Sequence, residues 1–243
     1  MKSFFLNQNN DLIIEIFSLE HFLLILLTLL FSLLLIINKQ KFINLNYKGK
    51  RKLQLILAFI LFINFILRRG TFIYYNVYDW HYHLDINFCN FTSILYFVYF
   101  IFDNKKIYKI CYYMTFVGPL LAILLPSVNI TPLNYSFYSF LILHHFIFIV
   151  NIVFIYVENI KFNNNEFYHI VVFIAIYFFG IYIFNIFFDT KYNIATGFIN
   201  NNIINSRFMK LLLYNNTTTF VSYCCVNLIL LFLAKILLRK LNK

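Results

Sequence analysis

The sequence predicts an all-α fold: a polytopic membrane helical bundle of seven transmembrane helices, forming one integral membrane domain over residues 1–243. Three observations carry this expectation. The chain is 62% hydrophobic and only 12% charged. Its Phe, Ile and Leu runs are longer than a soluble core needs, and stretches of about 18 or more apolar residues read as membrane-spanning helices. A helix also satisfies each backbone N–H and C=O inside its own segment, which lipid cannot do. Seven such segments fill 243 residues with short connections and leave no room for a soluble domain.

The segments follow in order. Residues 17–37 open the series after a polar start with one Lys and no small-residue cleavage site, so no removable signal peptide is expected. Residues 53–67 form a short second span, closed by Arg68 and Arg69. The third, 86–102, is entered through a polar run from Asp79 to Cys89, with Asp85 placed to cap the helix. The fourth, 107–125, contains Gly118-Pro119, a pair that should kink or break it. The fifth, 137–157, carries His144 and His145 about two turns in, and the sixth, 167–188, ends near Asn185 and Asp189. A long Asn-rich connection then leads to the seventh, 218–238.

Lys and Arg in the connections set the orientation. One side receives fourteen of the twenty: Lys39, Lys41, Lys48, Lys50, Arg51, Lys52, Lys105, Lys106, Lys109, Lys161, Lys235, Arg239, Lys240 and Lys243. The other receives Lys2, Arg68, Arg69, Lys191, Arg207 and Lys210. The first side is expected to be cytoplasmic, with the N-terminus outside and the C-terminus inside. The net charge of +11 then gathers at the inner face. Anionic lipid headgroups account for it, and nucleic acid is not an expected partner. The heavy use of Asn, Ile, Lys and Phe resembles translation of an AT-rich genome, so a bacterial plasma membrane is the expected location.

With this topology, nearly every candidate for chemistry falls on the outer side. His21, Arg68, Arg69, His81, His83, Cys89, His144, His145, Asn185 and Asp189 all lie there. Ionisable groups in a span are expensive and mark functional sites by default, whereas interfacial water satisfies shallow ones. His81, His83, Arg68 and Arg69 fit the interfacial description. His144 and His145 lie deeper and point to function or a helix–helix hydrogen bond. Cys89 sits near a helix start, where the dipole favours a thiolate while Asp85 and apolar surroundings oppose it. His83 and Asn87 share a face only if the helix starts early. Four Cys residues without a CxxC or zinc spacing give no metal site, and no cofactor is expected. A disulfide from Cys89 to Cys224 or Cys225 would remove the nucleophile.

The order of several short strings resembles a known family. These are Phe17-Ser18-x-x-His21, His83-x-x-x-Asn87-x-Cys89, Gly118 with Pro126, a His in the fifth span, and Asn185-x-x-x-x-Thr190-x-Tyr192. Together they resemble the YwaF-like integral membrane proteins of bacteria, related to the eukaryotic transmembrane protein 164. The family string His-Leu-Pro-Leu-His-Leu-Cys reads here His83-Leu84-Asp85-Ile86-Asn87-Phe88-Cys89, so Asp85 replaces the Pro and Asn87 the second His. Lys191 replaces the Asn of the family's Thr-Asn-Tyr. The resemblance implies phospholipid acyl transfer with Cys89 as nucleophile and His145 or His144 as base.

On this reading Arg68 and Arg69 hold the lipid phosphate and Asn185 donates to the oxyanion. His21, His83, Asn87 and Tyr192 are the further substrate-binding candidates. The partners would be membrane lipids, namely an acyl-donor lipid and a lysophospholipid acceptor. Two alternatives use the same polar set without covalent chemistry: a lipid or small-solute binding or transport protein, and a partner in envelope assembly.

Overall fold

A computed structural model of the chain describes residues 2–8, 11–12, 14–126, 131–159, 164–190 and 216–241, without the side chains of 216–224 and 238–241. The described elements are helical. We label the long ones α1 (Leu19–Ile37), α2 (Tyr47–Tyr74), α3 (Phe88–Phe102), α4 (Lys105–Leu124), α5 (Tyr135–Glu158), α6 (Asn164–Phe188) and α7 (Asn216–Leu241). Five of them, α1, α2, α4, α5 and α6, are long and apolar enough to cross a membrane. α3, with 15 residues, rises only about 22 Å, less than the roughly 30 Å of a hydrocarbon core. The described apolar part of α7, Cys225–Leu237, is also short.

The chain divides into two compact units: Met1–Asp79 with Phe88–Ile160, and Trp80–Asn87 with Lys161–Lys243. In the first, α3 packs against α2 and α4, while α5 packs against α1 and α4. Its polarity is inverted relative to a soluble protein. The buried residues of α1 are His21, Thr28 and Ser32, whereas Leu23, Leu26, Leu27, Leu30, Phe31 and Leu34 are exposed. On α2, Gln54, Asn64 and Arg69 are buried and Leu55, Ile56, Phe59 and Phe62 are exposed. Such large apolar surfaces suit lipid, and polar side chains turn inward because only protein can satisfy them there. α5 is buried almost all round from Ile147 to Tyr156. An aromatic core of Tyr96, Tyr99, Phe100, Tyr108 and Phe154 joins α3, α4 and α5.

Two termini explain local sequence. Ser18 caps α1, accepting from the His21 N–H at 3.2 Å, after Phe17 has taken a left-handed φ of 65°. At Gly118 the α4 ladder is interrupted, and Pro119, which has no N–H, starts the last turn.

Three expectations need correction. α2 runs from Tyr47 to Tyr74 rather than 53–67, since Asn46 caps it by accepting from the Gly49 N–H at 2.8 Å. Arg68 and Arg69 therefore lie within this helix, and Arg69 is buried. α3 begins at Phe88, three residues after Asp85. His83 ends a separate four-residue turn, Trp80–His83, and so shares no helix with Asn87.

The second unit pairs α6 with α7. α6 buries Phe167, Ile170, Ile174, Phe178 and Asn185, the 3–4 spacing of a single stripe. Lys235 Nζ lies 4.3 Å from the centre of the Phe167 ring. The end of α6 is fastened by Asp189 in the left-handed region (φ 50°) and by the Thr190 N–H bonding to the Asn185 carbonyl at 3.1 Å. That is a Schellman-type closure. The Thr190 hydroxyl also bonds Asn185 Oδ1 at 2.8 Å, which gives this part of the motif a structural role.

Candidate functional site

In the first unit, Cys89 is the second residue of α3 and is half-buried, with a free thiol. It lies against the interruption in α4: a Cβ built on Gly118 would stand 3.2 Å from Cys89 Sγ and 2.6 Å from the Phe88 ring. Glycine is required here for close approach, since its backbone (φ −99°, ψ −74°) is open to any residue. Thus the Gly118-Pro119 pair both breaks α4 and lets the start of α3 settle into the break.

His144 and His145 lie in a π-helical turn, Leu141–Phe146, inside α5. π turns are rare and often accompany functional sites. This one packs against α3 and against Pro119–Leu124. The two imidazoles face different partners. Thr28 Oγ1 gives its single hydrogen to the Leu24 carbonyl at 2.9 Å, so it accepts from His145 Nδ1 at 2.5 Å. His144 Nδ1 lies 2.9 Å from the Phe140 carbonyl, which can only accept. Each neutral ring therefore carries its proton on Nδ1 and leaves Nε2 as the basic nitrogen.

His21 is arranged differently. Its Nδ1 accepts from the Phe17 N–H at 3.1 Å, and its Nε2 donates to the Ile123 carbonyl at 2.9 Å. Both ring nitrogens are occupied by backbone at two helix termini. The Phe17-Ser18-x-x-His21 string thus closes the start of α1 and satisfies a carbonyl in the last turn of α4.

Arg68 is the charge that links the parts. It acts electrostatically on Cys89, His144 and Tyr135. Its Nη1 donates to Asn90 Oδ1 at 2.8 Å. His145 is bonded instead to Thr28 of α1. Cys89, Arg68, Asn90 and His144 therefore form one electrostatic neighbourhood, with His145 turned toward α1.

His83, Asn87 and Asn185 belong to the second unit. His83 and Asn87 are half-buried, and Asn185 is buried beside Thr190. Within that unit Tyr177 donates from its hydroxyl to the Ile86 carbonyl, and the Trp80 ring packs on Phe188 at 5.7 Å. Tyr192 lies outside the described residues, as does the side chain of Cys224. Cys225 is a free thiol, so it is not joined to Cys89. Among the described residues no cluster of three or more His, Cys, Asp and Glu could hold a metal ion.

Sequence reasoning missed Asn90 and Thr28, though each left a signal. Asn90 directly follows Cys89, and Thr28 lies seven residues after His21 on the same face of α1. It also missed a second polar centre where α2, α3, α4 and α5 come together. Lys50 Nζ lies 2.6 Å from Asp103 Oδ1 and 2.7 Å from Glu158 Oε1. Tyr99 donates to Glu158, Lys105 stands 3.3 Å from its other oxygen, and Gln54 donates to Asp103 at 2.7 Å. Burial disfavours charge on Asp103, but the Lys50 and Gln54 hydrogen bonds outweigh it and hold its carboxyl below the usual range. A bond from Tyr96 to Asn151 Oδ1 at 2.7 Å continues the polar ladder between this centre and the Cys89 end of α3.

The sequence matches the TMEM164 family model over residues 16–237. No curated protein and no solved structure matches it.

Proposed function

Because the chain belongs to the TMEM164 family, a family of membrane proteins, we propose that it transfers acyl chains between phospholipids through Cys89, with His144 as the base. The carrying observation is the packing of the π turn that holds His144 against α3, whose second residue is Cys89. The basic Nε2 left on His144 supports the same role. His145 shares that tautomer but is held by Thr28 on α1.

The steps balance without a cofactor. His144 Nε2 takes the thiol proton as Sγ bonds to the acyl carbon of a donor lipid. The C–O ester bond breaks, and the leaving lysolipid oxygen receives that proton. An acceptor lysolipid then gives its hydroxyl proton to His144, its oxygen attacks the thioester, and the C–S bond breaks. The thiolate recovers the proton. Arg68 is the proposed holder of the lipid phosphate.

In the proposed topology seven helices span a bacterial plasma membrane, with the N-terminus outside, the C-terminus inside and this site toward the outer leaflet. The fourteen-to-six distribution of Lys and Arg supports it.

A second reading is lipid binding without covalent chemistry. A groove of about 590 Å³ sets Lys48, Arg51 and Lys52 beside Leu55, Ile56 and Phe59 on α2, a basic rim over an apolar floor. It lies roughly 25 Å along the helix from Arg68, counting from Arg51, and Arg51 bonds the end of α3 away from Cys89.

Intact-protein mass spectrometry with and without hydroxylamine tests the first reading. It expects a hydroxylamine-labile fatty acyl adduct that is missing from Cys89→Ala. Lipid acyl exchange that continues unchanged in Cys89→Ala would overturn it.

A further inference from the structure

Asn90 follows the candidate nucleophile and is 5% exposed. Its side-chain amide is oriented by chemistry rather than by convention. The Arg68 guanidinium has only donors, so the Asn90 atom 2.8 Å from Arg68 Nη1 must be the carbonyl oxygen. The other branch, Nδ2, is buried and makes no hydrogen bond among the described residues. A buried donor without an acceptor costs about 1–3 kcal/mol; of the buried side-chain atoms without a partner among the described residues, this one belongs to the residue that follows Cys89 at the start of α3.

The surroundings specify the acceptor it would take. Arg68 and the amino end of α3 both favour an oxygen carrying negative charge. When a thiolate attacks an acyl ester, the carbonyl oxygen gains such charge within about 3 Å of the donors that stabilise it. Cys89 is the second residue of α3, which puts its thiol at the amide-rich start of the helix.

We propose that the Asn90 side-chain amide donates to the acyl oxygen that becomes an oxyanion during transfer at Cys89. This rests on Cys89 being the nucleophile, as argued above. Arg68 acts on the same group by fixing Asn90 Oδ1, which turns Nδ2 away from the guanidinium. In the tetrahedral intermediate the Sγ–C bond has formed, the former carbonyl oxygen holds the electron pair, and Asn90 Nδ2–H accompanies the α3 amides as its donor. Collapse returns that pair to the carbonyl as the ester C–O bond breaks. Asn90 neither gains nor loses a proton.

The test uses the full-length chain in vesicles of phosphatidylcholine with deuterated acyl chains and unlabelled lysophosphatidylcholine, with label transfer read by mass spectrometry. Asn90→Ala removes both the contact with Arg68 and the donor. Asn90→Asp keeps an acceptor for Arg68 but loses the donor. Both are expected to cut turnover by about 100- to 1000-fold, with the lysolipid KM within about twofold of the parent chain. The acyl adduct on Cys89 should form correspondingly slowly. Thermal midpoints in detergent identify any variant that fails to fold, in which case the other variant gives the reading.

Loss in Asn90→Ala with recovery in Asn90→Asp would assign Asn90 to holding Arg68 alone and overturn the proposal. So would turnover within about threefold of the parent in both variants, if Cys89→Ala is inactive. In those two cases the Cys89 reading survives. No exchange by the parent chain, or exchange that survives Cys89→Ala, removes both.

Discussion

Replacing Gly118 by alanine tests whether the contact between α3 and the break in α4 is as close as its geometry indicates. The new Cβ would fall 2.6 Å from Phe88 Cδ1, 3.2 Å from Phe88 Cε1 and 3.2 Å from Cys89 Sγ. Carbon atoms pack best at roughly 3.5–4.0 Å, so the overlap with the ring is about 1 Å. Phe88 is 1% exposed and Val117 fully buried, which leaves the ring little room to move. Overpacking of this kind costs about 1–3 kcal/mol. The opposing effect is smaller: alanine suits the backbone at residue 118 and would gain about 0.4–1 kcal/mol from a less flexible unfolded chain. The net expectation is destabilisation by about 1–2 kcal/mol, or a fall of roughly 2–8 °C in thermal midpoint for a chain of this size. Fluorescence-detected size-exclusion chromatography after heating in detergent measures it. Trimming the ring should relieve the strain, so adding Phe88→Leu to Gly118→Ala is expected to cost less than the two separate losses combined. A Gly118→Ala midpoint at or above that of the parent chain would refute the reasoning, because the α3 start would then be free to shift.

Two further predictions concern the second polar centre. Lys50→Met leaves Glu158, whose side chain is fully buried, with only Tyr99 and the more distant Lys105. A loss of about 3 kcal/mol is expected, the low end for breaking a buried pair; a thermal midpoint unchanged by the substitution would mean that the ion pair contributes nothing. The depressed Asp103 carboxyl gives a pH dependence. Its contribution is present above the unfolded value of 3.8 and is lost as pH falls through the lower folded value. The thermal midpoint should therefore drop below about pH 4, with a smaller drop in Asp103→Asn, and an identical drop in both would assign the effect to other groups.

Much of the fold was legible in the sequence because apolar runs and helix-terminus residues act locally. The helices near residues 19–37, 164–188 and 216–241 lie within about three residues of their expected bounds. α2 was underestimated because Lys48, Lys50, Arg51 and Lys52 looked like a connection. Their helix forms because Arg51 donates to the Phe100 and Ile101 carbonyls and Lys50 reaches Asp103 and Glu158. Those partners lie about fifty or more residues away along the chain, so no local pattern announces them. The same distance hid Asn90, whose partner Arg68 is 22 residues earlier, and Thr28, which meets His145 across 117 residues.

The sequence by itself determined that the chain is helical and apolar, of TMEM164 type, with a Cys and a His pair as its outstanding polar residues. These follow from composition and from residue order, which survive any arrangement of the helices. Only the tertiary structure decided how the histidines differ. The two rings share a tautomer but bond different acceptors through Nδ1, the Phe140 carbonyl for His144 and a hydroxyl on another helix for His145. It also decided that His21 is occupied at both nitrogens and that Asn90 keeps a buried donor unspent. Hydrogen bonds act over about 3 Å, and whether two groups come that close is a property of packing that a linear order of residues does not contain.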